Sequence, residues 1–132
     1  MGRTPLAVIT DIMTNGPPIS VKVTSVAEFR DGKVTSFEVT PEEVGLSRVP
    51  LDALKGGEPA HNAALMRDLL GGAHGALRDI VLLNSAAALV VADRAEDLRA
   101  GIATAAEAID SGAARRVLDR LVAMTNEGSI GG

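Results

Sequence analysis

The stretch IVLLNSAAALVVA, residues 80–92, limits what this chain can become more than any other. It is apolar at nearly every position, so a helix through it has no polar face to turn to water. Such a helix is expected to be central and surrounded by other elements. The packing around it has an unusual composition. Of 132 residues 46 % are hydrophobic, but the only aromatics are Phe29 and Phe37. The core must come from Ala, Val, Leu and Ile, and Ala in particular lets helix axes approach closely. A chain of this length is one ordinary domain and can bury roughly two-thirds of its unfolded surface.

The rest resolves into elements around that run. PLAVIT, residues 5–10, is a short apolar run expected to be a buried strand. TNGPP, residues 14–18, is turn chemistry. In residues 21–40, VKVTSVAEFRDGKVTSFEVT, Asp31-Gly32 predicts a β-hairpin, because both residues tolerate the positive φ of a type I′ turn. That turn pairs Phe29 with Val34 and Ala27 with Ser36 on one face. Val26 with Phe37 and Thr24 with Val39 fall on the other. Both faces carry apolar residues, so both are expected to be covered; a lone hairpin is marginal in water. Thr40 is placed to cap a short helical turn from Pro41, with Glu42 and Glu43 in its first turn. Residues 47–57 read as loop.

Helices follow. One is expected over residues 58–70, ended by Gly71 and Gly72, and a second over 75–92. A third carries Leu98, Ile102, Ala105 and Ile109 on one stripe and closes at Gly112. The last should turn Val117, Leu118, Leu121 and Val122 inward. The fold class is α+β or α/β: a short strand, a β-hairpin, then four to five packed helices. Residues 1–23 read as a lead-in or junction, 24–126 as the main region and 127–132 as a flexible tail.

Candidate chemistry is sparse. His61 and His74 have no second ligand at metal-binding spacing. GGAHG, residues 71–75, is glycine-rich before a helix and could cradle an anion there. It follows a helix rather than a strand, which favours a helix stop and a tight link. Asp110 and Ser111 beside Gly112 read as cap chemistry, and Arg115 and Arg116 as a solvated face. Asn62 and Asn84 lie in Ala-rich helices; a buried Asn needs partners, so Asn84 reads as a structural hydrogen-bonding residue. No nucleophile, base and orienting group come together by spacing. No catalytic, cofactor-binding or metal-binding residue is assigned.

A formal net charge of −4 argues against a nucleic-acid partner, which would need a basic face. There is no cysteine, hence no disulfide and no thiolate metal site. No signal-peptide pattern opens the sequence, and the apolar run around residue 89 is too short to span a bilayer. No membrane partner is expected, and a cytoplasmic location is.

Three stretches together resemble the anthranilate phosphoribosyltransferase family, in its C-terminal part: TSVAEFRDGKVTSFEVTPEEVGL, GGEPAHNAALMRDLLGG, and RDIVLLNSAAALVVADRAEDLRAGIATAAEAIDSGAARRVLDRLVAMTN. The resemblance covers residues 24–126. It implies the fold of class IV phosphoribosyltransferases, shared with pyrimidine nucleoside phosphorylases, whose helices match less well. It also implies transfer of a phosphoribosyl group from phosphoribosyl pyrophosphate (PRPP) to anthranilate, in tryptophan biosynthesis, with magnesium. In that family the diphosphate and metal are held by a Gly-Thr-Gly-Gly-Asp loop, a Lys-His-Gly-Asn stretch and an Asp-Glu pair. This sequence has no counterpart of the first two. Where the Asp-Glu pair is expected it reads PPIS, with Pro17 and Pro18; Asp11 and Asn15 fit no family position. The expectations are therefore a segment inactive alone, no cofactor of its own, and a homo-oligomer or a missing N-terminal half as partner. The alternative is a non-catalytic interaction module or split-enzyme subunit that associates through exposed apolar surface.

Overall fold

In the computed structural model, residues 6–11 and 24–127 are described. The TNGPP turn and Pro17-Pro18 lie outside them. Strand β1 is Leu6–Asp11, β2 is Thr24–Arg30 and β3 is Lys33–Val39. They form one antiparallel sheet in the order β1-β2-β3. The hairpin forms where Asp31-Gly32 places it, with φ of 51° and 79° at the two residues. The register is the expected one: Phe29 opposite Val34, Ala27 opposite Ser36, Val26 opposite Phe37 and Thr24 opposite Val39.

The chain leaves the sheet through a capped turn. Thr40 donates its N–H to Glu43 Oε2 at 2.7 Å, and the Glu43 N–H reaches back to Thr40 Oγ1 at 3.4 Å. This reciprocal pair satisfies donors that a helix start leaves open. It opens a 3-10 turn over Glu42–Val44, which buries Val44. Residues 47–57 were expected to be loop, but Leu51–Leu54 form a second 3-10 turn. A single turn of this kind is too short to leave a periodic signature.

Helix α1 is Pro59–Leu70, with Pro59 at its first position, where the missing N–H costs nothing. Gly71 stays right-handed, and Gly72, at φ 96°, makes the left-handed exit. Helix α2 is Ala76–Val91, α3 is Leu98–Asp110 and α4 is Ala113–Glu127. Asp97 caps α3 by accepting the Ala100 N–H at 2.7 Å.

Two apolar clusters hold these elements together. Leu69, Leu82, Ala105 and Ile109 join α1, α2 and α3. Val26, Val39 and Val44 join the hairpin to the helices through Leu83 and Leu98. Ile102 packs against both clusters, so α3 is the common wall. Burying a side chain such as Leu82 or Ile109 contributes about 2 kcal/mol. At Gly101 α2 and α3 come close. A methyl there would lie 2.8 Å from Ala86 Cα and Cβ and 3.0 Å from its carbonyl oxygen. The helices meet backbone to backbone, as an Ala-rich core allows.

The coverage is thinner than expected. No large side chain among the described residues is fully buried. Helix α2 was expected to be surrounded, yet Val81, Asn84 and Ala88 are exposed. It packs on α3, reaches α1 through Leu82 and meets the hairpin cluster through Leu83, but its face at Val81, Asn84 and Ala88 stays open. Val117, Leu121 and Val122 of α4 were expected inward, but they are 68 %, 57 % and 50 % exposed. Only Leu118 of that set is half-buried. The hairpin's Phe29 and Val34 on one face, and Phe37 on the other, are also exposed, so neither face has the full cover expected of it. In each case the periodicity marks an apolar face correctly. What fails is the inference that something within the described residues lies against it.

Candidate functional site

Most polar residues singled out in the sequence have an identifiable structural partner or position; Asn15 lies outside the described residues. Asn62, in the first turn of α1, accepts the Gly57 N–H and donates to the Gly57 carbonyl, both at 2.8 Å. It clamps the loop that enters α1. His61 stands beside the same glycine: a methyl on Gly57 would meet its ring at 3.0 Å. Asn84 is exposed rather than buried, and donates within its own helix to the Ile80 carbonyl at 2.9 Å. Arg116 donates to the Ser111 carbonyl at 3.2 Å, which helps close the α3–α4 corner.

Asp110 does more than cap a helix. Arg78 Nη2 contacts its two carboxylate oxygens at 2.8 and 2.9 Å, joining the first turn of α2 to the end of α3. Arg78 is only 5 % exposed, and its Nη1 has no hydrogen-bond partner. Sequence reasoning missed this residue. The partners are 32 positions apart, and a charge at a helix start carries no local sign of burial.

Three of the hollows among the described residues bear on function. A groove of about 480 Å³ runs between the hairpin and the α2–α3 corner, with Val26, Phe37, Val44, Val90 and Leu98 in its walls. Its charged residues are Glu28, Arg30, Glu43, Glu96, Asp97 and Arg99. Arg30 pairs with Glu28 at 2.9 Å, and Arg99 donates to the Glu43 carbonyl at 2.9 Å. Carboxylates outnumber arginines there, so the groove repels a polyanion rather than cradling one. A second hollow, about 280 Å³, lies under GGAHG and is lined by His74, Gly75 and Arg78. Asp68 lines it too, and Arg78 is drawn toward Asp110. A third, about 340 Å³, separates α1 from α4 and is lined by Ala63, Met66, Leu70, Leu118 and Val122 among others.

Among the described residues, the one strongly shifted carboxylate lines none of these hollows. Arg48 bonds both oxygens of Glu42, at 2.9 and 3.1 Å. That bond holds the Glu42 carboxyl down to about 2, and raises Arg48 in turn. The Glu43 carboxyl is lowered by the Thr40 N–H and then by the Thr40 hydroxyl. These shifts belong to a turn that fastens the hairpin, and they set up no acid–base pair. Among the described residues no group of three or more His, Asp or Glu side chains could hold a metal ion. Among them, too, no helix is long and apolar enough to cross a membrane.

Strand, hairpin and four helices in this order are those of the C-terminal part of a class IV phosphoribosyltransferase fold, and a solved structure agrees. The anthranilate phosphoribosyltransferase of Thermus thermophilus superposes with a TM-score of 0.73 at 38 % identity. The match covers 92 % of this chain and 35 % of that one. Residues 19–115 match the family model described as "Glycosyl transferase family, a/b domain", and the chain belongs to that family. Among curated relatives, the anthranilate phosphoribosyltransferase of Parvibaculum lavamentivorans is 52 % identical over 116 residues, 88 % of this chain and 32 % of the relative. That of Caulobacter vibrioides is 58 % identical over 103 residues, 78 % of this chain and 30 % of the relative. The chain thus spans about a third of the length of the relatives it matches.

Proposed function

We propose that this chain is scaffold for an anthranilate phosphoribosyltransferase: it serves phosphoribosyl transfer from PRPP to anthranilate in tryptophan biosynthesis and does not catalyse it alone. The observation that carries this reading is a mismatch. The kinship is close, at 52 % identity, yet the chemistry has nowhere to happen among the described residues. Loss of pyrophosphate leaves cationic character on the ribose carbon. It needs donors fixed on the diphosphate and a cation beside it. The groove beside the hairpin carries an excess of carboxylates and two engaged arginines. For magnesium, which the family uses, no group of three or more His, Asp or Glu side chains is placed together among the described residues.

What these residues do is position. The capped turn at Thr40 fixes the hairpin, and Arg99 ties that turn to α3. The Arg78–Asp110 pair and the contact at Gly101 fix α2 on α3. Growth without tryptophan, in a bacterium lacking its own anthranilate phosphoribosyltransferase, tests the reading. This chain alone should not restore growth. The chain co-expressed with the two-thirds of the Parvibaculum relative that it does not match should. Growth with the chain alone would refute it.

A second reading is favoured by the exposed faces at Phe29 and Val34 and on α4. The chain would then act as an interaction module or split-enzyme subunit whose apolar surface drives association. Light scattering on the eluting protein tests it: a monomer at all concentrations, with or without the complementary polypeptide, counts against it.

A further inference from the structure

The face of α4 is the least explained surface of the molecule. Val117, Leu121 and Met124 follow one another at helical spacing along it and are 68 %, 57 % and 61 % exposed. Beside them, Val122 and Met66 of α1 flank the hollow between the two helices. Leu118, in the floor of that hollow, is only half-buried. An apolar strip of this kind marks an association surface rather than a solvated one.

We infer that the α1–α4 face seats the polypeptide that makes up the rest of the phosphoribosyltransferase fold, through a partner surface that pairs an apolar ridge with flanking carboxylates. The inference rests on the scaffold reading above and names the surface that reading needs. Two observations choose this occupant over a second copy of the chain. The matched structure is nearly three times larger than the part superposed, since only 35 % of it is covered. The remainder of such a fold must lie against some part of this third. Charge is the other. From residue 113 to 121, α4 carries Arg115, Arg116 and Arg120 against Asp119 alone, and the hollow itself is lined by Arg67 and Arg115 with Asp119 as its one carboxylate. Two copies meeting through this face would set like charges together. The chain as a whole carries −4, so the positive rim is local, and it suits an acidic partner.

The test is co-expression of this chain with the unmatched two-thirds of the Parvibaculum relative, followed by purification through a tag on that polypeptide. The wild-type chain should be retained. Leu121→Glu and Val122→Glu should each weaken retention at least tenfold. Ala103→Glu, on an exposed position of α3, should leave it unchanged. Should either α4 variant fail to fold, hydrogen exchange on the wild-type pair replaces it, with α4 amides slowed in the complex. The inference is overturned by a complex indifferent to both substitutions with α4 exchange unchanged, by an α4-dependent homodimer of the chain alone, or by no complex at all. The two readings fail separately. A complex that forms through α4 but does not turn over PRPP and anthranilate supports the surface and refutes the catalytic assignment. An active complex insensitive to α4 does the reverse.

Discussion

Replacing Gly101 by alanine sets two known effects against each other. Alanine is the better helix former by about 1 kcal/mol, so propensity alone makes Gly101→Ala stabilising. Against it stands the contact with α2. The new methyl would lie 2.8 Å from Ala86 Cα and Cβ and 3.0 Å from Ala86 O, where carbon atoms normally settle at about 3.5–4.0 Å. Two of those three atoms are backbone and cannot swing away. The helices must part by roughly 1 Å to restore that spacing, loosening Leu82 against Ala105 and Ile109. Overpacking of this kind costs about 1–3 kcal/mol, and with backbone in the way the upper half of that range applies. The net expectation is a loss of about 1–2 kcal/mol, with Gly101→Val worse. Urea denaturation followed by far-UV circular dichroism reads it, since the chain has neither Trp nor Tyr for fluorescence. The midpoint should fall with the slope unchanged. Combining Gly101→Ala with Ala86→Gly should show coupling of at least about 0.5 kcal/mol. A rise in the midpoint for Gly101→Ala would refute the close approach of α2 and α3.

Three further perturbations follow from single contacts. Asp110→Ala strands a buried guanidinium; breaking a buried pair costs about 3–5 kcal/mol, and because Asp110 is half in water we expect about 2. Adding Arg78→Met should recover most of that loss in the same urea titration. Asn62→Ala removes both bonds to Gly57 and should cost about 1 kcal/mol, with Asn62→Asp intermediate because it keeps only the acceptor. The Glu42–Arg48 pair sets a pH window. The folded carboxyl lies at about 2, below its ordinary 4.5, so its contribution is complete above the higher value and fades as pH falls toward the lower. The stability gap between wild type and Arg48→Gln should therefore narrow across that window, and a gap that widens on acidification would contradict the assignment.

Local chemistry made the sheet and helices legible in the sequence. Asp31-Gly32 fixes a two-residue turn, and the turn fixes every pair along β2 and β3. The stripe Leu98, Ile102, Ala105, Ile109 finds its place because α3 packs on that face alone. Features that depend on distant neighbours were not legible. Arg78 looks like any helical charge until α3 brings Asp110 to it. The turn at Leu51–Leu54 is too short for a period to show. The α4 stripe at Val117 and Leu121 is recognisable as apolar, but a periodic pattern cannot say whose surface it meets. No site residue was assigned from the sequence, because the groove beside the hairpin and the Arg78–Asp110 pair take shape only where distant elements meet.

The most direct test of the scaffold account is the rate of pyrophosphate release from PRPP in the presence of anthranilate and magnesium. It should be measured for the purified chain alone and for its complex with the complementary two-thirds of the Parvibaculum relative. The account predicts no release above background from the chain alone and anthranilate-dependent release from the complex. Anthranilate-dependent turnover by the chain alone would contradict it.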